Sequence, residues 1–495
     1  MVDAKTDTTV HPSSPPHPHP IIAESGRGKN GDEELVLAAS SRTPFLPTVA
    51  FFRKPFFQVV IISMVCFCCP GMFNALSGLG GGGQINPKTA DNANVALYST
   101  FATTAFLSGS IVNKIGPRLS LSIGSVGYTL FIGSYLSYNI NQNSAFVIAA
   151  GAILGVCAGL LWTAQGSLML AYATEATKGR YIASFWIIFN LGAVLGEAVA
   201  LGKNYRDTTV ECFFEGSKYV REEMKELNKK SNLRENRIAP YSVSLLHHPL
   251  QSRRTDGSIV TIERNPGWKI ELKSMFKTLT QDPTILLLFP FFWASNWFYT
   301  YQFNDYNLAL FNIRTRSLNA LLYWLSQIFG SGLFGLLLDF QRAFNRQQRA
   351  CLGWIILTSV IFVVWGFGWM VQKDYERGSV TSKMDWSDSS WIMGMLADDP
   401  RDLAPLVGFY KGIQSAGAAV IFRIDSNEAS YHAIFISSWS LLALGLFCLI
   451  PLLLFRIKND LIRSPKLLIP PNHQLPPPSS TTTTTFKLEK QSVKK

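Results

Sequence analysis

Two ionisable residues stand inside long apolar runs of this 495-residue chain, Glu197 and Lys411. A charge at the centre of a membrane helix costs about 2.5–3.5 kcal/mol on insertion scales, so residues of this kind are functional candidates by default. Glu197 falls about 24 Å along its run at 1.5 Å per residue, near the end, where an interfacial carboxylate with a solvated head is the competing role. Lys411 lies nearer the start of its run, where it either snorkels to the headgroups or serves as a substrate or counter-ion contact. Enzyme chemistry finds no foothold. The glycine-rich stretch ending at Gln84 lacks the Gly-Lys-Ser/Thr of a phosphate loop, and no nucleophile elbow or metal-ligand spacing of His and Cys is present. Six of the seven cysteines lie in apolar runs, which excludes a disulfide framework, and His11, His17 and His19 sit in a proline-rich tail. The expectation is a protein that is not an enzyme and carries no metal or cofactor.

The elements that must position these residues follow from the composition, 47% hydrophobic and only 16% charged against about 25% for a soluble protein. The apolar residues form ten runs long enough to span a bilayer, at 56–79, 95–113, 119–138, 145–172, 181–202, 284–302, 319–339, 350–371, 404–422 and 433–455. A soluble enzyme is excluded. The net charge of +12 reflects basic residues gathered in loops on one face of the membrane, and no basic stripe interleaved with aromatics supports nucleic-acid binding. The chain divides into a disordered cytoplasmic tail at 1–54, a half with five spans at 55–205, and a polar central loop at 206–280. A second half with about five spans follows at 281–455, then a second disordered cytoplasmic tail at 456–495. Within the central loop, Trp268, Leu272, Met275, Phe276 and Leu279 share a face flanked by lysines, predicting an amphipathic helix over 268–279 on the cytoplasmic leaflet. Trp297, Tyr299, Tyr301 and Tyr306 suit an aromatic belt at the membrane interface.

A loop pattern occurs twice. Gly109, Asn113, Lys114 and Arg118 close the second span, and Gly335, Asp339 and Arg342 close the second span of the other half. Matching places in two hydrophobic halves resemble the major facilitator superfamily, whose halves are related by an axis along the membrane normal. Its loop motif pairs an acid with a neighbouring helix beside basic residues at a cytoplasmic gate, and here Asn113 replaces the acid of the first copy. Three strings make the resemblance more specific: 70–84, rich in glycine, 294–307 with Arg314–Asn319, and 409–419. Together they resemble the uncoordinated-93-like family, a branch of that superfamily, and its fungal members most.

The resemblance implies an all-α, two-half bundle of twelve spans, of which the sixth and tenth are missing, since 206–237 and 372–390 are polar. With ten spans the two loop motifs would fall on opposite sides. It also implies a central cavity lined by the first, fourth, seventh and tenth helices, of which the first three are present. Asn74 and Ser77, Thr163 and Gln165, and Ser295 and Asn296 are the polar candidates there, although bonds between packed helices would use them equally well. No embedded carboxylate or histidine lies on those three helices, so a proton relay is not expected. The implied function is facilitator-type secondary transport of a small solute or ion. The alternative is a non-transporting regulator or trafficking partner of a channel or receptor. The expected partners are the lipid bilayer, that solute or ion, and in the alternative another membrane protein, with the amino terminus cytoplasmic.

Overall fold

Backbone polar groups have no water to bond in a bilayer, so each apolar run satisfies its own as a helix. The computed structural model describes residues 54–81, 86–174, 177–206, 273, 277, 279–340, 344–380, 383–385 and 407–457, and among these all ten runs are helical. They are α1 (Pro55–Gly78), α2 (Pro87–Ile115), α3 (Pro117–Asn141), α4 (Ser144–Tyr172) and α5 (Lys178–Asn204) in the first half. The second half holds the broken helix α6 (283–308), α7 (Ile313–Asp339), α8 (Arg346–Gln372), α9 (Val407–Ser426) and α10 (Tyr431–Arg456). Eight are long and apolar enough to cross a membrane; α6 is interrupted and α9 carries polar residues.

Local signals set the boundaries. Asn86, Asn143 and Asn312 cap α2, α4 and α7 by accepting backbone N–H bonds, and Asn345 with Gln348 forms a capping box on α8. Gly116 joins α2 to α3 at φ +85°, a conformation that disfavours any side chain. Within the first half α2 and α4 approach backbone to backbone. A Cβ on Gly155 would stand 2.1 Å from the Leu97 carbonyl oxygen, and Thr100 Oγ1 donates across the seam to the Ala152 carbonyl at 2.8 Å.

The second half packs on aromatics. Trp297, Tyr301 and Tyr306 are buried with Phe292, Trp365 and Phe435, and the Tyr301 hydroxyl donates to Gln372 Oε1 at 2.6 Å. The expected interfacial belt is thus a core. Burial satisfies these rings and a buried amide satisfies the phenol, which leaves nothing for the headgroups.

The halves join mainly through α2 against α9 and α5 against α7, with smaller contacts of α4 on α9 and α1 on α7. They fix the direction of every helix. Calling the end at Pro55 near and the other far, Asp339 at the end of α7 meets Gly179 at the start of α5, so both lie near. Both loop motifs therefore share the near end, against the ten-span parity. The reason is visible at the joints. Helix α5 finishes far and α6 starts near, while α8 finishes far and α9 starts near, so each of these two pairs of consecutive helices runs in the same direction. The tails 1–53 and 458–495, the central loop from 207, and most of 268–279 lie outside the described residues.

Glu376, in the far-end loop after α8, holds the start of α10. Its carboxylate accepts from Tyr431 N at 2.6 Å and Ser430 Oγ at 2.9 Å, with His432 Nδ1 at 3.0 Å. Partial burial pushes this carboxyl up, but the backbone N–H groups of Arg377 and Tyr431 and the His432 and Ser430 side chains outweigh it and pull it down to about 2. A lowered folded-state value contributes stability above the unfolded value near 4.5, and loses it as pH falls towards 2. Glu376→Gln is expected to lower the melting temperature at pH 7 and to flatten its decline between pH 4.5 and 2, as read by thermal melts in detergent. An unchanged slope would refute this role.

Candidate functional site: a cavity between the halves

Helix α6 breaks where it meets the cavity. Its turns change from Phe289–Ala294 through an irregular step at 295–297 to a π turn at Tyr301–Leu308. Helix α1 has a similar π turn, Phe67–Gly71, around Pro70. Irregular backbone at membrane depth is tolerated where it lines a cavity or is buried in protein, and π turns gather at functional sites. Here the breaks bring Pro70, Phe73 and Asn74 from α1 opposite Ser295, Asn296 and Tyr299 from α6. Helices α2, α4, α5, α7 and α9, with Tyr128 of α3, complete the wall of a space of about 890 Å³, counted with its open mouth.

Gln414 is the hub. Its Nε2 donates to Ser295 Oγ at 2.9 Å and lies 3.0 Å from Asn296 Oδ1 and 2.8 Å from the Tyr410 hydroxyl, while its Oε1 accepts from Lys411 Nζ at 2.8 Å. The Lys411 ammonium also lies 4.6 Å from the ring centroid of Trp162 on α4 and 5.0 Å from that of Tyr410. It points inward, against snorkelling, because the Trp162 ring and the Gln414 carbonyl solvate it within the bundle.

Of the polar candidates, Asn74, Ser295 and Asn296 line this cavity, and Ser77 lines a smaller one towards the far end. Thr163 and Gln165 do not. Helix α4 turns Ala158 and Trp162 to the cavity, so Thr163 faces α2, where its hydroxyl meets Ser108 Oγ at 2.6 Å, and Gln165 reaches Met169 Sδ at 3.5 Å. Sequence reasoning missed Gln414, Tyr410 and Trp162. A signal existed for the first: Gln414 follows Lys411 by one turn on one helix face.

Beyond the cavity the far end is closed by side chains from one half on backbone of the other. Asn304 donates to Asp91 Oδ1 at 2.9 Å and to Asp425 Oδ2 at 3.0 Å, and its own oxygen accepts from Gly81 N at 2.9 Å. Asn307 donates to the Gly78 carbonyl at 2.9 Å. Arg316 donates to the carbonyls of Leu79 at 2.8 Å and Gly80 at 3.1 Å. The glycine-rich string and the 294–307 and 314–319 strings, more than two hundred residues apart, thus form one latch.

Residues 81–367 match the family model described as ion channel regulatory protein UNC-93. The chain is 44% identical to an UNC93-like protein of Schizosaccharomyces pombe, over 81% of this chain and 82% of that one. The chain belongs to the UNC-93 family. It is also 37% identical to UNC93-like protein 1 of Arabidopsis thaliana over 83% of this chain and 92% of that one. Among solved structures it is similar to FucP, a major facilitator superfamily transporter in its outward conformation, at 11% identity and a TM-score of 0.44 over 80% of this chain and 99% of that one.

In this UNC-93 family member the near end is closed by the second loop motif. Asp339 accepts from Gly179 N at 2.9 Å and Arg180 N at 2.8 Å and pairs with Arg180 Nε at 3.2 Å, so an acid of one half caps a helix of the other. Gly335 makes room for this approach, since a Cβ there would stand 2.4 Å from that of Ala183. In the first copy, Gly109, Asn113 and Lys114 occupy the last two turns of α2, and Arg118 the first turn of α3. Arg342 lies outside the described residues. Glu197 departs from the interfacial expectation: it is 0% exposed, packed on Gly78, and neither carboxyl oxygen has a hydrogen-bond partner among the described residues. Its helix end is covered by α7, which removes the solvent its head was expected to reach.

Proposed function

We propose that this multi-pass membrane protein is a facilitator-type secondary transporter, moving a small solute or ion by alternating access, and that it binds and carries rather than catalyses. The observation that carries this is a polar-lined cavity at the break of α6, placed between two halves whose hydrogen-bonded contacts cluster towards the two ends. A site enclosed this way can be opened to one side at a time by exchanging the Asp339 contacts for the Asn304, Asn307 and Arg316 contacts. The near end is assigned to the cytoplasm, because Lys114, Arg118, Lys178, Arg180, Arg346 and Arg349 gather there. Cysteine labelling should reach positions 118 and 346 from the cytoplasmic side alone, and labelling of either from the other side would overturn the orientation.

Flux in proteoliposomes tests the transport reading. Asn296→Ala and Gln414→Ala remove cavity hydrogen bonds without touching either end contact, and each is expected to reduce flux about tenfold or more while the melting temperature stays near that of the parent. A second reading is favoured by the family description, ion channel regulatory protein: a non-transporting partner of a channel. Co-purification with a channel, with no flux of any solute and no effect of these substitutions, would favour it.

A further inference from the structure

Lys411 is the one residue with a formal charge among the described residues lining the cavity, and no carboxylate pairs with it there. A cation inside a helical bundle is costly unless its hydrogens and its charge are met. One hydrogen goes to Gln414 Oε1, a neutral acceptor, and the charge rests on the faces of Trp162 and Tyr410. These contacts compensate only in part, since a cation over an aromatic ring contributes far less than an anion at hydrogen-bond distance. The rest of the wall is of two kinds. Tyr98, Tyr128, Trp186 and Tyr299 offer apolar and aromatic surface, while Asn74 and Asn190 offer amides. The Asn190 amide nitrogen is buried without a hydrogen-bond partner among the described residues.

We infer that the cavity takes a small organic anion, its carboxylate on Lys411 and its apolar or aromatic body against the rings of α2, α4 and α5. A cationic substrate is disfavoured twice, by repulsion from Lys411 and because Lys411 already occupies the Trp162 face that a ligand cation would use. A neutral polyol would find the amides and rings but leave the ammonium without a counter-charge. The position also links recognition to movement. Lys411 belongs to α9 of one half and Trp162 to α4 of the other, so a carboxylate that draws Nζ from the ring loosens a contact between the halves.

The inference rests on the transport reading for its biological sense, but binding tests it separately from flux. The purified full chain is titrated with three matched probes, phenylacetate, phenylacetamide and phenethylamine, following tryptophan fluorescence. Phenylacetate is expected to bind about tenfold or more tightly than the amide, the gain of a charge-assisted contact over a neutral one, with the amine weakest. Lys411→Met should abolish the preference for the acid while leaving amide binding within about twofold, and Lys411→Arg should retain it. Should Lys411→Met fail to fold, the ranking of the probes on the parent and on Lys411→Arg decides alone. Equal binding of acid and amide, tighter binding of the amine, or no binding of any probe would overturn the inference. Acid-selective binding without flux in proteoliposomes would uphold it and count against transport; flux of a neutral solute without acid selectivity would do the reverse.

Discussion

Arg377→Gln is expected to lower the melting temperature of the detergent-solubilised protein by roughly 3 °C, the consequence of removing the cation from a largely buried ion pair at about 3 kcal/mol in a chain of this length. Three carboxylates meet at the far end, Asp91 from α2, Asp305 from α6 and Asp425 from α9, at 4%, 1% and 4% exposure. One guanidinium stands among them. Arg377 pairs with Asp425 Oδ1 at 2.5 Å and with Asp305 Oδ1 at 3.4 Å, and its Nε donates to the Ala429 carbonyl at 2.9 Å. Asn304 separates Asp91 from Asp425 by donating to both, but an amide supplies no charge. Without Arg377 the acids repel across a poorly solvated space. Arg377→Lys keeps a point charge but loses the fork, and should fall between the two. An equal loss in Arg377→Gln and Arg377→Lys would show that the charge of Arg377 contributes nothing to the fold.

The ten helices were legible because membrane helices are written in a long, simple signal, about twenty apolar residues against a polar background. The polar contacts between them were not, because each depends on which face of a helix turns inward. Asn74, Ser295 and Asn296 reach the cavity because they sit at breaks in α1 and α6, whereas Thr163 and Gln165, on the unbroken α4, fall on faces that pack against neighbours. Glu197 and Lys411 were found as charges in apolar runs, yet their surroundings were not readable from position along the helix. Depth in a run gives height in the membrane, and burial depends on the partner helix, α7 for Glu197 and α4 for Lys411. Asp305 and Asp425 escaped notice altogether. Each stands at the end of a run, where a carboxylate looks like a loop residue until the opposite half covers it.

The largest gain is expected from restoring two helices. In the bundle α5 ends at the far end and α6 begins at the near end, and α8 and α9 stand in the same relation, so the chain must recross twice. The sequence available for the first crossing includes Arg206 and the polar stretch to Arg237, and for the second, since 373–380 and 383–385 stay at the far end, only 386–406 with Asp388, Asp398, Asp399, Arg401 and Asp402. Charged residues cost about 2.5–3.5 kcal/mol each at the bilayer centre, so neither stretch inserts favourably as a helix. If neither crosses, α6 to α8 enter from the wrong side and carry Arg346 and Arg349 across the membrane, against the bias that basic residues impose. Either course weakens the bundle. A version in which an apolar helix of about twenty residues replaces 206–237, and a second completes the segment before Trp391, is therefore expected to express at a higher level, melt at a higher temperature and carry more flux than the chain as written. Label accessibility at positions 118 and 346 separates the two causes. Labelling of both from one side in both proteins would mean that the helices already stand as described and that the added pair contributes packing. Labelling of position 346 from opposite sides in the two proteins would mean that the added pair corrects the topology. Equal expression, equal stability and equal flux would show that the polar connections serve the fold as they are.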